Sequence, residues 1–330
     1  MRTLEASGLH LRRTLDSGQA FRWRWEEEEN GRAVATGVVG RHRVRVTQDA
    51  RGIHVLAPAT EAACDAVARY FALAPRSEGR PRAPAGRGHI PPRWSGRTRA
   101  GTNGGSDSRP RGDPARGRAG FGFADLGHIE SALAADGVLA RVLHHTQGTG
   151  LLVQDPWEVL ISFIVSQNNN IPKIGRSIEA LAHGFGRPLG DGIHAFPSPA
   201  RLATASPAAL RACHLGYRAP YVRAAARLVA EGRLDLAALQ RVPEDEARDT
   251  LRAVWGIGDK VADCVLLFGL GHVTAFPVDV WVRRAVERLY FGGREQPLRE
   301  IRAFARDRFG PLAGYAQQHL FTYARAHLVD

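Results

Sequence analysis

Val254-Trp255-Gly256-Ile257-Gly258-Asp259-Lys260-Val261-Ala262-Asp263-Cys264 is the stretch on which the reading of the chain turns. Two glycines stand two residues apart between stretches whose apolar spacing predicts helices over 243–254 and 260–269. Glycine permits positive φ and close backbone approach. The second helix opens near Lys260, where free N–H groups and the positive end of the dipole favour an anion. A phosphate of a DNA backbone is such an anion. An ordinary tight turn between two helices would need the same glycines.

Further along stands Phe276-Pro277-Val278-Asp279-Val280-Trp281-Val282-Arg283-Arg284. Pro277 should stop the preceding element and Asp279 should cap a helix over 279–290. Capping alone accounts for Asp279. Yet an acid near an amine nucleophile is also what cleavage of a glycosidic bond needs. Amines are scarce here, because of 45 basic residues only Lys173 and Lys260 are lysines and the other 43 are arginines. Coding bias accounts for the skew, but only a lysine amine can form a Schiff base.

Before the hairpin, helical periodicity predicts helices at about 125–135, 137–146, 156–168, 171–185, 207–212 and 218–231, and after it at about 297–308 and 313–327, with no strand beyond 121. Residues 9–56 read as a β meander. Phe21-Arg22-Trp23-Arg24-Trp25 alternates, and Asn30-Gly31 after the acidic run Glu26–Glu29 signals a tight hairpin. Residues 60–73 read as a helix. The fold class expected is α+β, with a small N-terminal antiparallel sheet domain over 1–74 and a helical domain over 121–330. Residues 75–120 hold 10 Gly, 7 Pro and 11 Arg against Glu78, Asp107 and Asp113, the composition of a disordered insertion. That segment carries +8 of the net charge of +12, so basicity is no argument that the folded part binds nucleic acid. The insertion reads either as a phosphate-attracting arm or as a passive loop.

The 330 residues suffice for about two domains, with 44% hydrophobic and 24% charged residues as in soluble proteins. No apolar run reaches the ~18 residues of a membrane span, and the N-terminus lacks an apolar signal core. Cys64, Cys213 and Cys264 are too few for a disulfide framework or a four-thiolate iron–sulfur cluster. A cytoplasmic location, at the nucleoid if the source is prokaryotic, and no membrane partner are expected.

Gly256-Ile257-Gly258-x-Lys260 followed by Pro277-Val278-Asp279 resembles the helix-hairpin-helix DNA glycosylase superfamily, and within it the 8-oxoguanine DNA glycosylase/AP lyase family. The likeness extends to Ser17-Gly18-Gln19-Ala20-Phe21-Arg22-Trp23, Gln154 to Ile164, Ser166 to Ile171, Leu215-Gly216-Tyr217-Arg218-Ala219 and Gly310 to Gln317. It spares only 75–120. The resemblance implies excision of 8-oxoguanine opposite cytosine from duplex DNA by a monomer, with strand nicking through a lysine imine. It implies Lys260 as the Schiff-base lysine, its pKa drawn from about 10.4 towards 7–8, and Asp279 as the catalytic acid. Phe321 and Cys264 would sandwich the base, Gln317 would read its Watson–Crick edge, and the Gly18 carbonyl would accept the N7 hydrogen. Asn168, Tyr217 and Arg218 would meet the widowed cytosine. Lys173, Gly256, Gly258 and Trp281 would contact DNA. No cofactor is required by this reading, although the carbonyls of Arg252, Val254 and Ile257 could hold a monovalent cation.

Three positions depart from the family pattern: Trp255 stands where the hairpin usually has proline, Trp281 where some relatives carry histidine, and Pro172-Lys173 where some carry Ala-Arg. The alternatives are a glycosylase of the same superfamily with another damaged-base preference, and a non-catalytic helix-hairpin-helix DNA-binding protein.

Overall fold

The computed structural model describes residues 1–27, 33–73 and 125–329, which belong to one compact unit. The tight turn read at Asn30-Gly31 and the insertion read at 75–120 lie outside these residues. The chain opens with β1 (Arg2–Leu4), α1 (Leu11–Leu15), β2 (Arg24–Glu27), β3 (Ala33–Val39), β4 (His42–Asp49), β5 (Gly52–Ala57) and α2 (Glu61–Tyr70). The strands form an antiparallel sheet in the order β1-β5-β4-β3-β2. In β4 the inward Val44 and Val46 are fully buried, as period-two alternation requires.

The sheet departs from the expected 9–56 at its start: β1 (Arg2–Leu4) lies before it, and the meander proper begins only at β2. Residues 11–15 are a helical turn, and 17–23 run between the sheet and the helices. The alternation at 21–23 is real but serves two layers. Phe21 meets the Phe163 ring edge-on at 5.8 Å, Arg22 pairs with Glu179 at 2.9 Å, and the Trp23 indole donates to Tyr70 Oη at 3.0 Å. Gln19 pins this segment, donating to the Gly150 carbonyl at 2.9 Å and accepting from the Leu152 amide at 2.8 Å. These ties hold the loop that carries Gly18 against the helical part.

The helical part comprises α3 (Leu126–Leu133), α4 (Gly137–Thr146), α5 (Pro156–Val165), α6 (Ile171–Phe185), α7 (Pro199–Ala203), α8 (Pro207–Leu210), α9 (Ala219–Ala230), α10 (Leu236–Leu239), α11 (Glu244–Arg252), α12 (Asp259–Phe268), α13 (Val280–Tyr290), α14 (Leu298–Phe309) and α15 (Ala313–His327). The expectation of no strand beyond 121 needs correction: β6 (Pro188–Gly190) and β7 (Ile193–His194) pair antiparallel. Asp191 and Gly192 turn the chain with positive φ of 48° and 71°, an Asp-Gly hairpin too short to show alternation. No helix among the described residues is long and apolar enough to cross a membrane.

Helix α5 is central, with Val159 to Val165 all buried, and it packs on α6, α9 and α12. An ion cluster ties α12 to its neighbours. Asp263 is buried and accepts from Arg248 of α11 at 2.8 Å and from Arg302 of α14 at 3.0 Å. Helix α15 approaches α12 closely because residue 314 is glycine: a Cβ there would lie 2.4 Å from Leu267 Cδ1. The face of α15 carrying Gln317 and Phe321 thus shares one cavity with the face of α12 carrying Lys260 and Cys264.

Candidate active site

Residues 253–258 turn the chain between α11 and α12. Gly256 has φ +86°, and a Cβ there would lie 2.4 Å from the Tyr221 ring, so both conformation and space demand glycine. Gly258 differs from expectation. Its φ of −96° is open to any residue, and no atom lies within 4 Å of the site a Cβ would occupy. Its part is to open α12 in extended conformation without a side-chain cap. Helices α5, α6 and α13 have their first amides capped by Asp155, Asn170 and Asp279, whereas α12 keeps its first amides free of a side-chain acceptor. A free N-terminus favours an anion. The acid beside it, Asp259, is engaged by Arg252 at 2.7 Å and Arg302 at 2.9 Å.

Helical spacing sorts the side chains of α12. Asp259 and Asp263 face the arginine cluster, while Lys260 and Cys264, also four apart, line a cavity of about 290 Å³. That volume lies at the lower end of the roughly 300–1,000 Å³ of small-ligand clefts. Lys260 Nζ donates to Ser166 Oγ at 2.9 Å and stands 5.1 Å from the Phe163 ring centroid. Burial pushes the Cys264 thiol up to about 12, with the Lys260 charge drawing it back, so Cys264 is a neutral thiol.

Asp279 lines the same cavity. Its Oδ1 accepts from the amides of Trp281 at 3.0 Å and Val282 at 2.9 Å. Both capping bonds fall on one oxygen, so capping leaves Oδ2 without a part in it. Burial pushes the carboxyl up, and the two amides, Lys260 and Arg325 draw it back. Lys260 and Asp279 act on each other through the cavity without forming a direct ion pair.

The remaining base-site residues converge here. Gly18, at φ +78°, lines the cavity; a Cβ would lie 2.9 Å from Phe321 Cε1 and 3.0 Å from Ile171 Cδ1. Gln318 Nε2 donates to the Ser17 carbonyl at 2.9 Å and fixes that loop. Gln317 is buried, and its Oε1 has no hydrogen-bond partner among the described residues. A buried polar atom without a partner is costly, and at a cavity wall it is one a ligand could satisfy. Arg325 stands over the Phe321 ring at 5.5 Å.

A second group gathers at the end of α5. Asn168 has φ +46° and donates from Nδ2 to Tyr217 Oη at 3.2 Å. Arg218 is only 8% exposed; it donates from Nε to the Gln167 carbonyl at 2.7 Å and from Nη2 to the Asn168 carbonyl at 2.9 Å. Its guanidinium thus holds the strained turn that presents Asn168. Trp281 lines the cavity with Arg284 5.2 Å from its ring, and Lys173 is exposed on the first turn of α6, where its neighbours Pro172 and Ile174 line the cavity but Lys173 does not. Arg252, Val254 and Ile257 stand at the hairpin, where the Val254 carbonyl accepts from the Ile257 amide at 3.0 Å. Among the described residues no group of three or more His, Cys, Asp or Glu is placed to hold a metal.

Sequence reasoning assigned no role to Ser166, Phe163 or Arg325. Arg325 was within reach, four residues after Phe321 and eight after Gln317 on one helical face. Ser166 carried no signal, since its bond to Lys260 joins residues 94 apart.

The family model described as the HhH-GPD superfamily base excision DNA repair protein matches residues 161–311, and that of the 8-oxoguanine DNA glycosylase N-terminal domain matches 3–76. The chain is 36% identical over 210 residues to a probable N-glycosylase/DNA lyase of Methanothermobacter thermautotrophicus, covering 57% of this chain and 67% of that protein. It is 40% identical over 172 residues to an N-glycosylase/DNA lyase of Saccharomyces cerevisiae, spanning 47% of this chain and about half (46%) of the yeast protein. Among solved structures, it is similar to Clostridium acetobutylicum 8-oxoguanine glycosylase/lyase in complex with double-stranded DNA containing cytosine opposite 8-oxoguanine. The TM-score is 0.76 at 28% identity, over 97% of this chain and 93% of the other.

Proposed function

The chain belongs to the HhH-GPD superfamily of base excision DNA repair proteins, among its 8-oxoguanine-type glycosylases, and we propose that it excises 8-oxoguanine from duplex DNA and nicks the strand at the resulting site. The observation that carries this reading is the single cavity holding Lys260, Asp279, Gly18, Gln317 and Phe321 beside the uncapped start of α12.

The damaged nucleotide leaves the stack, at a cost of a few kcal/mol, and enters the cavity. Phe321 and Cys264 take its faces, Gln317 its Watson–Crick edge, and the Gly18 carbonyl the N7 hydrogen that guanine lacks. The Lys260 amine attacks C1′ through its nitrogen lone pair as the bond from C1′ to the base breaks. The bonding pair leaves with the base, which takes up a proton, and the Asp279 carboxylate offsets the positive charge on the sugar. Opening of the sugar ring gives an imine between C1′ and Nζ. Loss of a C2′ proton then expels the 3′ phosphate. Chemistry through this amine calls for no redox cofactor. The Asn168 turn and Tyr217 enter the gap left by the base and meet cytosine, while Arg218 keeps the turn in shape. Arg252, Val254 and Ile257 offer carbonyls to a monovalent cation that would stiffen the hairpin.

Lys260→Gln tests the reading. It should bind a duplex containing 8-oxoguanine and neither release the base nor nick the strand. Retained nicking would refute it.

A further inference from the structure

Three aromatic rings stand in a row from the Asn168 turn to the hairpin. The Tyr217 and Tyr221 centroids lie 6.2 Å apart with planes at 80°, and Tyr221 meets Trp255 at 4.9 Å and 85°. Both ends of the row are open, Trp255 at 62% exposure and Tyr217 at 50%. The backbone makes room for it: Gly256 lacks the Cβ that would strike Tyr221, so the tyrosine ring seats against the hairpin and props the indole edge-on. Large exposed aromatics with fixed neighbours are costly to keep in water and mark contact surfaces. The indole N–H groups of Trp23, Trp25 and Trp157 each donate to a protein acceptor. Those of Trp255 and Trp281 donate to none among the described residues, and of these two only Trp255 is largely exposed.

We infer that Trp255 is a strand anchor: its ring packs on a deoxyribose of the strand whose phosphate meets the start of α12, and its Nε1–H donates to a phosphate oxygen. The inference rests on the DNA-binding reading above and adds to it a contact made where the family's hairpin usually has proline. Position favours DNA over a protein partner. Trp255 precedes the uncapped amides of α12 by four residues and Lys260 by five, and its row ends at the turn that presents Asn168. A protein seated there would cover the approach to the cavity. The charge of Asp259, which would repel a phosphate, is offset by Arg252 and Arg302.

An uncharged contact adds affinity without releasing counterions, so it leaves the salt dependence of binding alone. The test uses the full-length protein and a duplex bearing a non-cleavable abasic analogue, with Kd measured by fluorescence anisotropy over a range of NaCl. Trp255→Ala should raise Kd about 5- to 20-fold, the lower part of the range for aromatic contacts to nucleic acid. Its slope of log Kd against log[NaCl] should match wild type. Trp255→Phe, which keeps a ring but no N–H, should fall between the two. Independently, N-bromosuccinimide should oxidise Trp255 of the free wild-type protein and spare it in the complex, read by peptide mass spectrometry. A Kd for Trp255→Ala within twofold of wild type, a slope changed by a full unit, or oxidation unaltered by duplex would each overturn the inference. Failure of the wild-type protein to bind the duplex at all would instead bring down the DNA-repair reading, and with it this contact.

Discussion

Asp263→Asn should destabilise the protein more than any exposed substitution, and its size follows from the contacts. The Asp263 side chain is 1% exposed, and its oxygens accept from Arg248 Nε at 2.8 Å, Arg302 Nε at 3.1 Å and Arg302 Nη2 at 3.0 Å. Burial raises the carboxyl above its ordinary 3.8 although the two guanidiniums draw it back, so the buried oxygens depend on their arginine donors. An asparagine would keep the volume but turn an N–H₂ donor towards one of the arginine donors. Removing one partner of a buried pair costs about 3–5 kcal/mol because the remaining charge is stranded. Here Arg248 and Arg302 are 19% and 24% exposed and retain Glu244 and Asp259, which places the loss near the low end, about 3 kcal/mol. At about 2–4 °C per kcal/mol for a chain of this order, Tm should fall by about 6–12 °C, read by calorimetry or circular dichroism at pH 7. The same change frees α12 from α11 and α14, so the rate of base release should fall as well. A Tm within 2 °C of wild type would refute the reasoning, because it would mean that the arginines find water without cost.

Burial raises the Asp279 carboxyl above its ordinary 3.8, and the carboxylate is the form that offsets a sugar cation. The single-turnover excision rate should therefore fall with decreasing pH through a value above 3.8. The folded state holds that proton more tightly than the unfolded chain, so the ionised group lowers stability as pH rises past its folded pKa. Asp279→Asn, which can still cap α13, should lose excision yet melt no lower than wild type at pH 7. Gly18→Ala forces a side chain into φ +78°, at about 1–2 kcal/mol, and crowds Phe321, so 8-oxoguanine release should drop further than nicking of a pre-formed abasic site. Equal losses in the two assays would argue against a base site at Gly18. His319 is fully buried and held down to about 4, mainly by burial; its proton binds the unfolded chain more tightly, so stability should decline by roughly 3 kcal/mol as pH falls from about 6.5 to about 4. The urea midpoint of His319→Gln should change less over that window.

The hairpin and its two helices were legible because local chemistry fixes them: a glycine that must turn, a helix that opens after it, and a proline and acid that punctuate the next. The helical part followed from periodicity, since α5, α12 and α15 bury the faces their apolar spacing marks. Residues 9–23 were misread because alternation reports two environments, not a strand; Phe21 meets α5, Arg22 an ion pair with α6, and Trp23 both Tyr70 of α2 and the sheet at Gly37. The β6–β7 hairpin was too short for any period, although Asp191-Gly192 announced its turn. At the cavity, the resemblance gathered residues from four separate segments, around Gly18, Lys260, Asp279 and Gln317, that no spacing rule could have joined. It did not foresee that Arg218 would be buried under the turn, or that Ser166 would hold the lysine. Both facts are long-range contacts and leave no local mark.

The central claim is that the Lys260 amine becomes bonded to a deoxyribose carbon. Borohydride reduction during reaction with an 8-oxoguanine duplex, followed by digestion and mass spectrometry of the cross-linked peptide, tests it most directly. The account predicts a stable DNA adduct carried by Lys260 and absent from Lys260→Gln. An adduct on Lys173 or the N-terminal amine, or base release and nicking with no adduct at all, would contradict it.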